Sequence, residues 1–451
     1  MDMNQLENLG AGFNRRDFIK GGSAATLLSM LGGVPLFAQQ TNEVSAADKV
    51  IGPKVKVGVI GLGPWGRELL ATLSRCPVVE VAAICDNYSA MVRRSAKDAP
   101  GAAQTEDYKS ILANKDISSV VVATPTHLHK EIVLEAIKAD KHVYCEAPLA
   151  HTLEDAKEIA QAAHKARHLV FQSGLQFRSD PLRHFLLPFI RSGALGQFAE
   201  ARAQWHKKTT WRATSPNAER EKAINWRLDK DLSVGLIGEL GIHQLDQAMW
   251  FINARPRTVT GFGTIAFHKD GREVPDTVHA IMEFPGGVCL NYDATLANSF
   301  DANYEMFYGS DAAIMLRETS GWLFKEVDSP LFGWEVYAKK DIFYRETGIV
   351  LKPGASKSTD QQPTPEELFK STPLYKSLEN FARNVADVIA RSEDLKESLG
   401  EADPEELAKV QRRASATHLD GYAATVLAIK ANQAIVKGDR LEIKPGDYEL
   451  S

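Results

Sequence analysis

The chain has 451 residues, 44% of them hydrophobic and 25% charged, a balance that suits a folded globular protein of two or three domains at about 150 residues each. Its formal net charge of -5 at pH 7 argues against a general nucleic-acid or anionic-membrane surface. Four cysteines (Cys76, Cys85, Cys145, Cys289) are too few and too scattered for a disulfide framework, and no CxxC or HExxH spacing points to a metal.

In chain order, the first signal is Asn14-Arg15-Arg16-Asp17-Phe18-Ile19-Lys20, followed by a mildly apolar run over 21–38. An arginine pair ahead of a short apolar stretch is the address of the twin-arginine transporter, which exports folded proteins. The stretch over 27–37 is broken by Gly32, Gly33 and Pro35, so it reads as a signal h-region. No later apolar run approaches the ~18 residues that would span a bilayer. Residues 1–46 are therefore expected to be a leader, cut after Ala38 or Ala46. The mature protein is expected to be periplasmic or otherwise exported, with no membrane span.

Val55-Lys56-Val57-Gly58-Val59-Ile60 is a β-rich run that breaks at Gly61-Leu62-Gly63-Pro64-Trp65-Gly66. A helical pattern over 65–75 then places Leu69, Leu70 and Leu73 on one face. Strand, glycine turn and helix in that order mark a dinucleotide-binding unit. Gly61 permits the tight turn, Gly63 lets a pyrophosphate approach the backbone, and Gly66 lets helix and strand pack closely. Pro64 and Trp65 open the helix whose free amides face the phosphates. A second strand over 79–85 ends at Asp86, about 20 residues past the last glycine, as such a unit requires. A carboxylate there takes the ribose hydroxyls and repels a 2′-phosphate, so NAD is expected over NADP, with Arg93 and Arg94 softening the preference.

Val120-Val121-Val122-Ala123 runs into Thr124-Pro125, and a helix over 130–139 leads to the strand His142-Val143-Tyr144-Cys145. Thr124 and Glu146, at the strand tips, are expected to line the crevice where ligands bind in such folds. A helix over 153–167 and a strand over 168–172 complete a doubly wound domain over 54–175. Next, Gln176-Phe177-Arg178, Trp205-His206 and Trp226-Arg227 offer planar donors and aromatic faces suited to a pyranose. Tryptophans are, however, more often partly buried packing residues. Glu239 and His243 lie four apart, on one face if the segment is helical. A carboxylate beside an imidazole would favour imidazolium and make His243 a general base. Asp246 either binds substrate or caps a neighbouring element.

Strand-like runs cover 258–265, 277–284 and 288–294. Residues 352–365 read as an exposed loop and 374–389 as a helix, followed by an acidic, polar connection through Asp403. One long or two shorter helices are expected over 404–437, ending at Gly438.

The glycine turn, Thr124-Pro125-Thr126-His127-Leu128-His129, Cys145-Glu146-Ala147-Pro148 and Gly238-Glu239-Leu240-Gly241-Ile242-His243-Gln244-Leu245-Asp246 together resemble the glucose–fructose oxidoreductase/inositol dehydrogenase (Gfo/Idh/MocA) family. The resemblance covers nearly everything from Lys54 onward. It implies an α/β fold, an N-terminal Rossmann domain plus a C-terminal α/β domain (176–451) with a large, mostly antiparallel sheet. It also implies homodimers or homotetramers formed through that sheet, and oxidation or reduction of a sugar or cyclitol carbon through NAD(P). Thr124, Pro125, His129 and Glu146 would then lie at the cofactor, with Gln176 and Arg178 toward the substrate. Two departures matter. The family's Glu-Lys-Pro is here Glu146-Ala147-Pro148, and its Asp-x-x-x-His is here Glu239 and His243. An alanine cannot polarise a carbonyl.

Export limits the chemistry, because outside the cytoplasm a trapped nicotinamide has no pool to recycle it. The leading expectation is an oxidoreductase that retains its NAD and acts on a sugar or sugar derivative. The alternatives are a redox-assisted glycosidase or lyase, and a sugar-binding member without turnover.

Overall fold

The computed structural model describes residues 54–331, 348–351 and 364–450. The expected twin-arginine leader and residues 352–363 of the expected loop lie outside the described residues.

Six parallel strands, β1 (Val55–Ile60), β2 (Val79–Cys85), β3 (Ala103–Thr105), β4 (Ser119–Val122), β5 (His142–Cys145) and β6 (Phe171–Ser173), form one sheet in the order β3-β2-β1-β4-β5-β6. Their continuous apolar runs follow from burial on both faces: every residue of β4 and β5 is buried. The strand order reverses between β1 and β4, which opens a crevice at their carboxyl ends. Helices α1 (Pro64–Leu73), α2 (His129–Lys138) and α3 (Leu153–Lys165) follow their strands closely. The last strand begins later than its sequence suggests. Residues 166–169 instead close α3 with turns, Ala166 N–H donating to Ala162 O and Leu169 N–H to Ala166 O.

The second sheet has nine strands: β7 (Phe198–His206), β8 (Thr258–Thr264), β9 (Thr277–Glu283), β10 (Cys289–Thr295), β11 (Asn303–Gly309), β12 (Ala312–Arg317), β13 (Ser320–Lys325), β14 (Gly348–Leu351) and β15 (Leu441–Glu442). Their order is β14-β13-β12-β11-β7-β10-β9-β8-β15, antiparallel throughout except for the β7–β10 pair. Period-two burial in β9 and β10 turns Val278, Ala280, Met282, Leu290, Tyr292 and Ala294 toward one covered face. That face is covered by α5 (Gly235–Glu239), α6 (Ile242–Ile252) and α8 (His418–Lys437), which share its core. A short helix, α4 (Ala218–Ile224), has no buried residue.

The helix expected over 374–389 is longer. As α7 it runs Pro373–Leu399 and stops at Gly400, which adopts a left-handed conformation. It packs on the first sheet: Tyr375, Leu378, Phe381 and Val385 share a core with Val57, Val59, Leu69 and Leu73. The 404–437 segment divides in two, a helix over Pro404–Ala408 and α8, whose Thr417 cap bonds reciprocally with Asp420.

Candidate active site

The site starts at the glycine turn. Gly61 has φ +95°, and a Cβ there would sit 2.6 Å from the Ala123 backbone. A Cβ on Gly66 would lie 2.0 Å from the Gly61 carbonyl oxygen. Gly63 faces open space, and as the N-cap of α1 it leaves the first-turn amides without a side-chain acceptor. This cradle fits a pyrophosphate. Asp86 accepts from the Leu62 N–H (2.9 Å) and the Tyr88 N–H (2.9 Å), which fixes the carboxylate at the ribose end of the crevice. Trp65 is 36% exposed at the start of α1.

At the tips of β4 and β5, polar atoms are buried without partners. Thr124 Oγ1, Glu146 Oε1, His127 Nδ1, His151 Nδ1 and, from α6, His243 Nδ1 all lack a hydrogen bond. Such atoms are costly unless a ligand satisfies them. Burial pushes the Glu146 carboxyl up to about 7, while Trp65, the Ala147 amide, Tyr144 and Arg227 pull it back. Gly174 makes room for that carboxylate, since a Cβ there would meet Oε2 at 2.5 Å.

The opposite wall comes from the second half of the chain. Trp226 is buried and meets the His127 ring edge-on at 5.8 Å, and His127 meets His151 at 6.1 Å. Burial lowers both histidines. Arg227 lies over Trp226 at 4.6 Å, with its Nε 3.7 Å from Glu239 Oε2. Glu239 also accepts from Thr126 Oγ1 (3.3 Å) and the Val234 N–H (3.2 Å).

The expected Glu239–His243 pair is not made. The segment is two helices broken at Leu240 and Gly241, so the spacing of four does not stack the side chains. Glu239 turns to Thr126 and Arg227, while the His243 ring lies 5.7 Å from Phe177. Burial, assisted by Arg183, lowers His243 to about 4, the reverse of the imidazolium-favouring effect expected of a carboxylate.

The other expected site residues are placed as follows. His129 is buried, with Nδ1 3.0 Å from the Pro148 carbonyl oxygen and Nε2 2.9 Å from that of Thr124, so it braces Thr124-Pro125 rather than facing a cofactor. Arg178 and Asp246 bind each other through two 2.8 Å bonds and line a separate cleft of about 430 Å³ with Trp250 and Asp420. His206 bonds Asp293 (2.6 Å), and alternation along β7 turns it to the sheet face opposite the helices. Trp205 packs against the core from the helix side. Gln176 opens the short turn Gln176–Ser179 that carries Phe177 to His243. Sequence reasoning passed over His127 and His151. His127 stood inside a quoted run, whereas nothing in the spacing singles out His151. Among the described residues no group of three or more His, Cys, Asp or Glu is placed to hold a metal ion.

Two family models match the chain: the oxidoreductase family with NAD-binding Rossmann fold over residues 55–174, and the GFO/IDH/MocA C-terminal domain over 188–315. Levoglucosan dehydrogenase of Pseudarthrobacter phenanthrenivorans is 29% identical over 47% of this chain and 58% of its own length. Inositol 2-dehydrogenase of Arthrobacter sp. is 35% identical over 53% and 66%. A glycosyl hydrolase family 109 protein of Shewanella baltica is 26% identical over 48% and 50%. A solved levoglucosan dehydrogenase, in complex with NADH and levoglucosan, has the same fold, with a TM-score of 0.66 at 19% identity over 86% of this chain and 99% of that one.

Proposed function

Since the chain belongs to the Gfo/Idh/MocA oxidoreductase family and is an NAD-dependent enzyme, we propose that it oxidises a hydroxyl of a sugar or sugar derivative while keeping its NAD bound. The leading observation is the set of unpartnered buried polar atoms at the ends of β4 and β5, Thr124 Oγ1, His127 Nδ1 and Glu146 Oε1, beside the glycine cradle, with His243 Nδ1 likewise unpartnered on α6. A polyhydroxylated ligand would satisfy them.

Bound NAD supplies the hydride acceptor. The glycine turn and Asp86 would hold that NAD, which would take the hydride from the substrate carbon. The O–H proton moves to the imidazole of His243, and a carbonyl forms. Burial keeps His243 neutral at pH 7, hence able to accept. The same burial disfavours imidazolium, so the proton stays only for the lifetime of the ketone. That suits a cycle in which hydride and proton both return to a carbonyl. Among the described residues Arg227 is the cation that acts on both Glu146 and Glu239, and it is the proposed stand-in for a lysine at position 147.

A twin-arginine leader supports an exported, periplasmic site of action, where retention of the cofactor is needed. Similarity to a glycosyl hydrolase family 109 protein favours a second reading, a redox-assisted glycosidase or lyase, whereas Ala147 favours a sugar-binding member without turnover. The open face of the nine-stranded sheet carries Phe262 and Ile281, and it is the proposed dimer or tetramer contact, measurable by sedimentation.

The deciding experiment follows absorbance of the bound nicotinamide while sugars and aryl glycosides are added. Reduction that persists until a second carbonyl compound arrives supports sugar oxidoreduction. Aglycone release without net reduction replaces it with the second reading.

A further inference from the structure

The segment between β7 and α5 leaves the second sheet and reaches back to the ribose end of the crevice. Its base is tied to the second half of the chain. The Arg272 guanidinium donates to the Thr210 carbonyl oxygen (2.6 Å) and Arg212 pairs with Asp270 (3.2 Å), while within the segment the Ala213 N–H donates to Asn225 Oδ1 (2.8 Å). Between these ties lies α4, in which no residue is fully buried. So short a helix gains little from its own backbone and leans on its tertiary contacts. One of these crosses to the first sheet. Arg220 donates from Nη1 to Asn87 Oδ1 at 3.2 Å, and its guanidinium carbon stands 4.3 Å from the Tyr88 ring centre. Asn87 and Tyr88 follow Asp86 directly, and Tyr88 donates its amide to the Asp86 carboxylate.

A second observation concerns the same side chain. Arg220 Nε is buried and has no acceptor. A guanidinium has five donors and a face that stacks on aromatic rings. Here one donor is committed to Asn87, one face lies over Tyr88, and a shielded donor is left beside the turn that receives the second ribose.

We propose that Arg220 is a cofactor-binding residue, the outer wall of the adenosine pocket, and that the 207–225 segment straps bound NAD into the crevice. This rests on the retained-cofactor reading above. The guanidinium contributes attraction to the pyrophosphate and contact with the adenosine, and the cofactor leaves only when the Arg220–Asn87 tie opens.

The test uses full-length protein and the variants Arg220→Ala, Arg220→Lys and Asn87→Ala. NADH release is timed by loss of its fluorescence on mixing with excess NAD, and ADP-ribose binding is measured by calorimetry. Arg220→Ala should speed release and weaken ADP-ribose by a common factor of roughly 5 to 30, the span from an exposed to a desolvated cation–π contact. Arg220→Lys should fall between, Asn87→Ala should shift in the same direction by less, and the cofactor-free melting temperature should not change. Equal release rates in wild type and Arg220→Ala overturn the assignment, as does faster release with unaltered ADP-ribose affinity. If wild type itself loses NADH on one desalting step, the retained-cofactor reading fails, while the ratio of rates still judges Arg220.

Discussion

At the scale of single residues, the crevice is governed by desolvation more than by ion pairing. Glu146 has a neighbouring cation in Arg227, yet burial dominates and raises its pKa to about 7. The folded state thus binds the Glu146 proton more tightly than the unfolded chain does. The stability associated with that proton is complete below pH 4.5 and is lost as pH rises through about 7. Glu146→Gln keeps the neutral form at every pH. Its stability gain over wild type should be absent near pH 4 and reach roughly 3 kcal/mol by pH 8, read from urea unfolding of cofactor-free protein. His243 is the matching case for turnover. His243→Ala should lower turnover by about 10² to 10⁴, the usual share of a general base, while NADH fluorescence reports unchanged cofactor binding. Undiminished turnover would remove His243 from the chemistry.

At the scale of elements, Arg178 and Asp246 join the turn after β6 to α6. Asp246 is 1% exposed, and the Arg178 fork spans both its oxygens. Arg178→Leu would leave a buried carboxylate without its cation, at a cost of about 3–5 kcal/mol in thermal unfolding. Because the pair lies outside the crevice, NADH affinity should not follow. Elements were legible in the sequence where one local rule decided them. The glycine turn, the apolar parallel strands and the cap after α8 each follow from a few adjacent residues. The α5–α6 break was not legible, because it depends on Gly241 meeting the Ile237 carbonyl oxygen and the Tyr292 hydroxyl, where a Cβ would stand 2.5 Å from either. The polar end of α7 resembled a connection because an exposed helix has no apolar stripe to betray it. The candidate site was legible in outline. The structure puts Arg227 and Trp226 beside His127 and Glu239, but where Glu239 turns depends on a contact more than a hundred positions away, with Thr126.

At the scale of the whole molecule, the two sheets are not independent. One face of the first is closed by α7, which the chain supplies only after eight of the nine strands of the second sheet. A fragment of residues 54–175 would expose Val57, Val59, Leu69 and Leu73, each of which is fully buried in the intact molecule. That fragment should fail to give a cooperative melting transition or bind NADH, and adding residues 364–450 in trans should not restore it fully, since α8 needs the second sheet. A fragment that melted cooperatively and bound NADH would contradict this account of the core.

The position of α7 also sets an order in time. During synthesis at about 5–20 residues per second, the ribosome needs roughly 10 to 45 s to pass from the end of β6 to the end of α7. Through that interval the nascent nucleotide fold has all six strands but lacks one wall. Cofactor loading is therefore an event of the nearly finished polypeptide, and a prematurely terminated chain is denied its nicotinamide however intact its glycine turn.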